Sequence, residues 1–126
     1  MTKPFVARVA AAAFRQLPGR LSADPCADVE LGELSVRFAR LHPGPRTPHR
    51  HPHSVEVIYV IEGDGVCWQN GETARVSPGD VVVVPRGTAH ATIPDPDSEL
   101  LLFCVFPVGD LPGNIEELDG VIELSR

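Results

Sequence analysis

Residues 48–56, PHRHPHSVE, combine three histidines at alternate positions with a carboxylate, and side chains of these types can bind a metal ion. His49 and His51 are two residues apart, so in an extended strand both imidazoles point to the same side. Glu56 opens the next apolar run after a bend that contains Pro52, which places its carboxylate to return to that side. These residues alone leave a solvated loop as the alternative, because short histidine-rich tracts are compositional evidence only.

His90 is the candidate for a fourth ligand, since it begins a predicted strand directly after the turn PRGTA. Three imidazoles and one carboxylate form a nitrogen and oxygen donor set without thiolate. Such a set suits Fe(II), Mn(II), Ni(II), Cu(II) or Zn(II) and is poorly suited to calcium or magnesium. His90 alone is more often a hydrogen-bonded core or surface histidine, so one divalent transition metal ion is expected as cofactor if the fold brings His90 to the other three residues. His53 shares strand parity with His51, but Pro52 and the bend towards Glu56 favour a position beside the site rather than in it.

The elements that must position these residues are short and extended. Thirteen prolines and eleven glycines divide the chain into segments rich in Val, Ile, Leu and Phe, a pattern typical of an all-β sandwich or barrel. Asn70-Gly71 predicts a two-residue hairpin turn, and the four valines of DVVVVP predict a strand that is covered on both faces. We predict strands over residues 34–41, 56–63, 65–69, 73–76, 80–85, 90–93 and 99–106.

The length of 126 residues predicts a single domain. Within it we expect an N-terminal extension over residues 1–33 that packs on the barrel, a barrel core over 34–108 and a C-terminal tail over 109–126. Local rules favour a helix over residues 4–17, with Pro4 at its start and Pro18-Gly19 at its end. Tertiary context is the competing influence, because an alanine-rich segment has little bulk for a core.

The formal net charge of -6 argues against a nucleic-acid or anionic-membrane partner, both of which call for a basic surface. The first sixteen residues lack the features of a signal peptide, and no run is long enough to span a bilayer. Cys26, Cys67 and Cys104 are odd in number and contain no CxxC pair, as expected for reduced thiols. We therefore expect a cytoplasmic protein.

Two segments resemble the two conserved motifs of the cupin superfamily. HRHPHSVEVIYVIEG matches HxH(x)4E(x)6G through His49, His51, Glu56 and Gly63, and GDVVVVPRGTAH matches G(x)5PxG(x)2H and ends at His90. The resemblance implies a double-stranded β-helix, or jelly-roll barrel, whose interior holds one divalent metal bound by these three histidines and one glutamate.

Strand parity then suggests which residues line the cavity around the ion. If Glu56 faces inwards, so does Ile58, and if His90 faces inwards, so does Thr92. On a neighbouring strand, Arg40 is able to bind a carboxylate substrate through its guanidinium group, and a solvent-facing position is the alternative. The candidate substrate-binding residues are Phe38, Arg40, Ile58, Thr92 and Phe103.

We expect a small metalloenzyme that acts on an oxygenated or carboxylated metabolite, by dioxygenation or by metal-assisted isomerase or lyase chemistry. A non-enzymatic module that binds or senses a metal or small ligand is the main alternative, because one fold hosts many functions. A metal-free cupin similar to sugar isomerases is a third possibility, disfavoured because all four ligand positions hold competent residues. Apolar strand faces also suggest a homodimer.

Overall fold

The structure is a computed structural model and describes residues 3–124. Short strands joined by tight turns account for nearly all of its regular secondary structure, together with two single-turn 3-10 helices at Val9–Ala11 and Pro112–Asn114. The strands are β1 (Arg15–Leu17), β2 (Arg20–Ala23), β3 (Ser35–Leu41), β4 (His49–Arg50), β5 (Glu56–Glu62), β6 (Gly65–Gln69), β7 (Glu72–Val76), β8 (Val81–Val84), β9 (His90–Pro94), β10 (Leu100–Phe106) and β11 (Glu116–Glu117).

The strands form two sheets in which every pairing is antiparallel. The larger sheet has the order β1-β2-β3-β10-β5-β8, and the smaller has the order β11-β4-β9-β6-β7. From β3 to β6 and again from β7 to β11 the chain alternates between the two sheets, so that β4 and β5 place the two halves of the first motif in different sheets. The prediction of an all-β jelly-roll barrel is confirmed.

Alternate side chains of the central strands fill the space between the sheets. In β5, Ile58 and Val60 are buried, and in β10 the same is true of Leu102 and Cys104. β10 pairs with β3 on one side and β5 on the other, and its register shifts by a bulge between Leu101 and Leu102. These side chains form the apolar interior of the barrel.

The N-terminal segment is not helical, so the prediction of a helix over residues 4–17 is wrong. Within it the chain forms only the 3-10 turn at Val9–Ala11 and then β1. Pro18 and Gly19, which were expected to end a helix, form the turn of a hairpin between β1 and β2, with Gly19 at φ 71°. Pairing of β1 with β2 and of β2 with β3 extends the larger sheet, and this tertiary pairing overrides the local helix propensity of the alanine-rich segment.

The prediction that the valine strand is covered on both faces is also wrong. β8 lies at the end of the larger sheet, where Val84 is buried but Val81 and Val83 are 61% and 55% exposed. The seven predicted strands are otherwise present with small shifts at their ends, and Asn70 and Gly71 adopt the positive φ values of the predicted hairpin turn. No helix in residues 3–124 is long and apolar enough to cross a membrane.

Candidate metal centre

The two motifs meet because β4 and β9 are paired strands. His49 lies directly opposite His90 in this ladder, and His51 follows immediately after β4. Glu56 is the first residue of β5, which belongs to the other sheet. The four predicted ligands therefore bridge the two sheets of the barrel.

All four side chains are buried and converge on one point. One potential ligand atom from each of them lies within 4.8 Å of the others. Glu56 Oε1 is 2.9 Å from His90 Nε2 and 3.2 Å from His51 Nε2. Metal–nitrogen and metal–oxygen bonds of about 2.1 Å place adjacent ligand atoms about 3 Å apart on an octahedral ion, so these separations are those of a metal site.

Two backbone carbonyls determine which nitrogen of His51 and His90 faces the centre. His51 Nδ1 donates to the Asn114 carbonyl at 2.8 Å, and His90 Nδ1 donates to the Thr88 carbonyl at 2.9 Å. A carbonyl can only accept, so Nδ1 carries the proton in both rings. In both rings Nε2 therefore faces Glu56, and this is the nitrogen that is available to a metal ion.

His51 Nε2 is a buried polar atom without a hydrogen bond. It lies within ion-pair distance of Glu56 Oε1, but the angles at that contact are not those of a hydrogen bond. Buried polar atoms are nearly always partnered, so this atom requires a ligand. A cation at the centre satisfies it and separates the facing acceptors, so the four residues fit a divalent metal ion.

The electrostatics of the centre favour the protonation states in which His49 and Glu56 can bind a metal ion. Burial, together with the nearby His90 and Arg20, holds the pKa of His49 well below its ordinary value, so the ring is neutral at physiological pH. Burial alone would raise the pKa of Glu56. Its contacts with His51 and His90 outweigh that effect and hold this pKa well below the usual range, so the side chain is a carboxylate.

A cavity of about 330 Å³ opens above the four residues. Ile58 and Thr92 line it, as strand parity predicted. Leu102, Cys104 and Phe106 of β10 also contribute to its wall. Burial raises the pKa of the Cys104 thiol well above its ordinary value, so this side chain is a neutral part of the wall.

The other three predicted substrate-binding residues do not line this cavity. Phe38 and Phe103 pack against each other, with ring centroids 5.6 Å apart, on the opposite face of the larger sheet. Arg40 forms an ion pair with Glu99 at 2.9 Å and lies over the ring of Phe14. Their placement follows from the register of β3, in which Arg37, Ala39 and Leu41 face inwards instead.

Several residues at the site were not anticipated from the sequence. Asn114 is fully buried, and its side chain accepts from the His53 backbone and donates to Ser54 Oγ. His53 itself is exposed and is not part of the cluster. The cavity is also lined by four arginines, Arg15, Arg20, Arg37 and Arg46. The parity of β3 is a signal for Arg37, but neither Asn114 nor Arg46 belongs to a recognisable motif.

Comparison with known proteins supports this architecture. The family model described as "Cupin domain" matches residues 37–106. A germin-like protein of Arabidopsis thaliana, subfamily 2 member 2, is 38% identical over 48% of this chain and 31% of its own length. The 5-aminosalicylate 1,2-dioxygenase of a Comamonas species is 37% identical over 60% of this chain and 20% of its own length. The chain thus spans about a third or less of these curated relatives.

Among solved structures, a predicted oxalate decarboxylase from Thermotoga maritima superposes with a TM-score of 0.73. It is 19% identical, and the match covers 82% of this chain and 99% of that protein. This likeness shows the shared barrel fold. Because the family model spans more than half of the chain and both of its histidine motifs converge on one buried cluster, the protein belongs to the cupin family.

Proposed function

We propose that this protein is a metal-dependent enzyme that acts on a small oxygenated or carboxylated metabolite. The observation that carries the proposal is the buried group of His49, His51, Glu56 and His90, whose ligand atoms all lie within 4.8 Å of one another at the base of a cavity. Among the candidate ions, Fe(II) and Mn(II) suit this donor set and the proposed chemistry. A bound ion of this kind supplies Lewis-acid or oxygen-activating chemistry.

The chain's own residues give the site three properties. The carbonyls of Asn114 and Thr88 hold the His51 and His90 rings with Nε2 directed inwards. Side chains such as Ile58 and Leu102 form an apolar wall that excludes water and strengthens electrostatic interactions with a bound molecule. The volume of about 330 Å³ lies at the small end of the range for ligand pockets, which supports a small metabolite.

The reaction class is narrowed by the comparisons to two candidates. A dioxygenase is among the curated relatives, and an oxalate decarboxylase is among the structural neighbours, which supports either dioxygenation or an isomerase or lyase reaction. The cavity itself supplies little acid or base chemistry beyond the ligands, because the other titratable groups that line it are arginines, Glu117 and the neutral Cys104. The chemistry is therefore expected to depend on the ion.

Turnover by metal-loaded protein tests this proposal. Protein loaded separately with Fe(II) and Mn(II) is incubated aerobically with a panel of small hydroxy, keto and aromatic acids, while oxygen uptake and product formation are followed. Conversion with oxygen uptake indicates a dioxygenase, and conversion without it indicates an isomerase or lyase. A fully loaded protein that converts nothing would contradict the enzymatic proposal and favour the binding module.

We further propose that the protein forms a homodimer through the outer face of β5 and β8. Val57 and Tyr59 of β5 lie beside Val83 and Val81 of β8, and all four side chains are exposed. Contiguous exposed apolar surface on a sheet is typical of an interaction site. A second copy covers this patch symmetrically, because a two-fold axis brings identical surfaces together.

A further inference from the structure

The cavity above the metal-binding cluster carries an excess of positive charge that the metal site does not explain. Four arginines line it, whereas within residues 3–124 the acidic side chains in its lining are Glu56, which belongs to the cluster, and Glu117 at the mouth. The chain as a whole has a net charge of -6, so the positive charge of the cavity is opposite in sign to the net charge of the protein. A cavity lined by one sign of charge attracts small ligands of the opposite sign.

Arg46 is the most informative of these arginines because it is buried without an acidic partner. Arg46 is 6% exposed, and its Nη1 donates a hydrogen bond to the Thr92 carbonyl at 3.0 Å. None of the carboxylates in residues 3–124 forms an ion pair with it. Buried guanidinium groups are ordinarily paired with an anion, because removing the charge from water is costly.

The β1–β2 hairpin is what covers Arg46. A Cβ atom on Gly19 would lie 2.8 Å from Arg46 Nε, so the glycine permits the turn to pack directly against the guanidinium. Burial lowers the pKa of Arg46 to about 10; the charge of Arg20 adds to this effect, and the charge of Glu117 opposes it. Arg20 and Arg46 line the same cavity, so a small anion bound there is able to contact both guanidinium groups.

Arg20 approaches the same region from β2. Its side chain is 13% exposed, and Nη1 donates to the Pro18 carbonyl at 2.8 Å and to Glu117 Oε1 at 3.3 Å. Arg20 is paired with Glu117 at the mouth of the cavity and retains donors beyond those two bonds.

We propose that Arg20 and Arg46 bind an acidic group of the substrate, so that the site takes a small organic acid with a carboxylate at one end and oxygen donors for the metal at the other. This inference rests on the proposed function and narrows its substrate class. Guanidinium groups bind carboxylates through paired hydrogen bonds, which orients the molecule as well as holding it. The structure moves this role from Arg40, on the outer face of the sheet, to two arginines inside the cavity.

Calorimetric titration of manganese-loaded protein with malonate and succinate, and with their neutral diamides, tests the assignment. We expect the parent protein to bind at least one acid and not its diamide. Arg20→Gln and Arg46→Gln should each weaken acid binding by about tenfold or more, because each removes a charge-assisted hydrogen bond. Arg40→Gln is the matched control, with an arginine on the same sheet and outside the cavity, and should bind as the parent does.

Two further variants sharpen the test. Arg46→Lys keeps the charge but loses the planar pair of donors, so its binding should lie between those of the parent and Arg46→Gln. Glu117→Gln removes the competing carboxylate at the mouth and should strengthen acid binding. If Arg46→Gln does not fold, as thermal unfolding will show, Arg20→Gln decides the question, because its side chain lies at the cavity mouth.

The proposal is overturned if both glutamine variants bind the acids as the parent does, if the diamides bind equally well, or if the parent binds neither acid at millimolar concentration. The metal content of every sample and turnover of the acid panel are measured in parallel. Arginine-dependent acid binding by a protein that converts nothing upholds the assignment while the enzymatic proposal fails. Turnover that is unchanged in both variants rejects the assignment of the two arginines and still supports the proposed enzymatic function.

Discussion

At the scale of single residues, the cluster depends on groups that never touch its centre. The Asn114 carbonyl fixes the orientation of the His51 ring, and the Asn114 side chain ties the same loop to the His53 backbone and to Ser54. A residue from the C-terminal tail thereby holds the first motif in place. The tail is part of the site's architecture, although the ligands all lie between residues 49 and 90.

Asn114→Ala should destabilise both the fold and the metal site. The substitution leaves a part-buried backbone N–H and a buried hydroxyl without their partner, which costs about 2–4 kcal/mol in free energy of unfolding. It also loosens the His51 ring, so metal affinity should fall by about 10- to 100-fold. Urea unfolding and competition with a chelator measure the two effects.

Ser54→Ala is the matched control, since it removes one of the two side-chain contacts and leaves the His53 contact intact. We expect a smaller loss of stability and a smaller change in metal affinity than in Asn114→Ala. Equal metal affinity in the parent and Asn114→Ala would show that the carbonyl contact does not depend on this side chain.

The convergence of the four candidate ligands could be predicted from the sequence, because each of them has a fixed place within one of the two motifs. Arg46 could not, since its burial depends on Gly19 and its hydrogen bond on Thr92, which are 27 and 46 positions away. Parity also failed for Arg40, because it fixes which residues share a face and not which of the two faces is inside. Only the register of β3 against β10 settles that choice.

At the scale of elements, Gly63 explains why the first motif ends in glycine. It adopts φ +90° after β5, and a Cβ there would collide with the Glu99 carbonyl just before β10. Gly71, in the hairpin between β6 and β7, has nearly the same φ of +91° but no atom within 4 Å of a Cβ. The two glycines differ in the space around them and not in conformation.

Gly63→Ala should therefore destabilise the protein more than Gly71→Ala does. The hairpin variant costs only the left-handed conformation, about 1–2 kcal/mol in free energy of unfolding. Gly63→Ala must in addition displace the backbone before β10, which should cost about 2 kcal/mol or more in free energy of unfolding on top of the conformational cost. Chemical unfolding of both variants measures the difference, and equal losses would show that the Glu99 carbonyl is not a constraint.

The N-terminal hairpin is an element for which local sequence rules predict the wrong secondary structure. Proline near the start, alanines within and Pro18-Gly19 at the end are helix signals, yet the same turn residues also suit a hairpin. Pairing of β2 with β3 decides between them, because three backbone positions match, from Leu21 opposite Arg40 to Ala23 opposite Phe38. The sequence contains no local signal for that partner.

At the scale of the whole molecule, the exposed patch on β5 and β8 predicts self-association. Introducing charge with Val81→Lys and Val83→Lys together should convert the dimer to monomer at micromolar concentration, because two buried ammonium groups are costly at an apolar interface. Light scattering measures the change in mass. Val121→Lys, at an equally exposed valine outside the patch, should leave the dimer intact.

A parent protein that is monomeric at these concentrations would contradict the dimer, as would a double variant that stays dimeric. The metal site lies inside each barrel and is formed by one chain, so metal content should be the same in monomer and dimer. This independence allows the assembly and the site to be tested separately.

The central claim is that one metal ion is held by four residues from two motifs. Elemental analysis of protein purified without chelators or a histidine tag, and reconstituted with Fe(II) or Mn(II) where needed, tests it most directly in the parent, His51→Ala and His90→Ala. We predict close to one ion per chain in the parent and almost none in either variant, because each loses a buried ligand. Full metal content in either variant, or a folded parent that binds no divalent transition metal, would contradict the account.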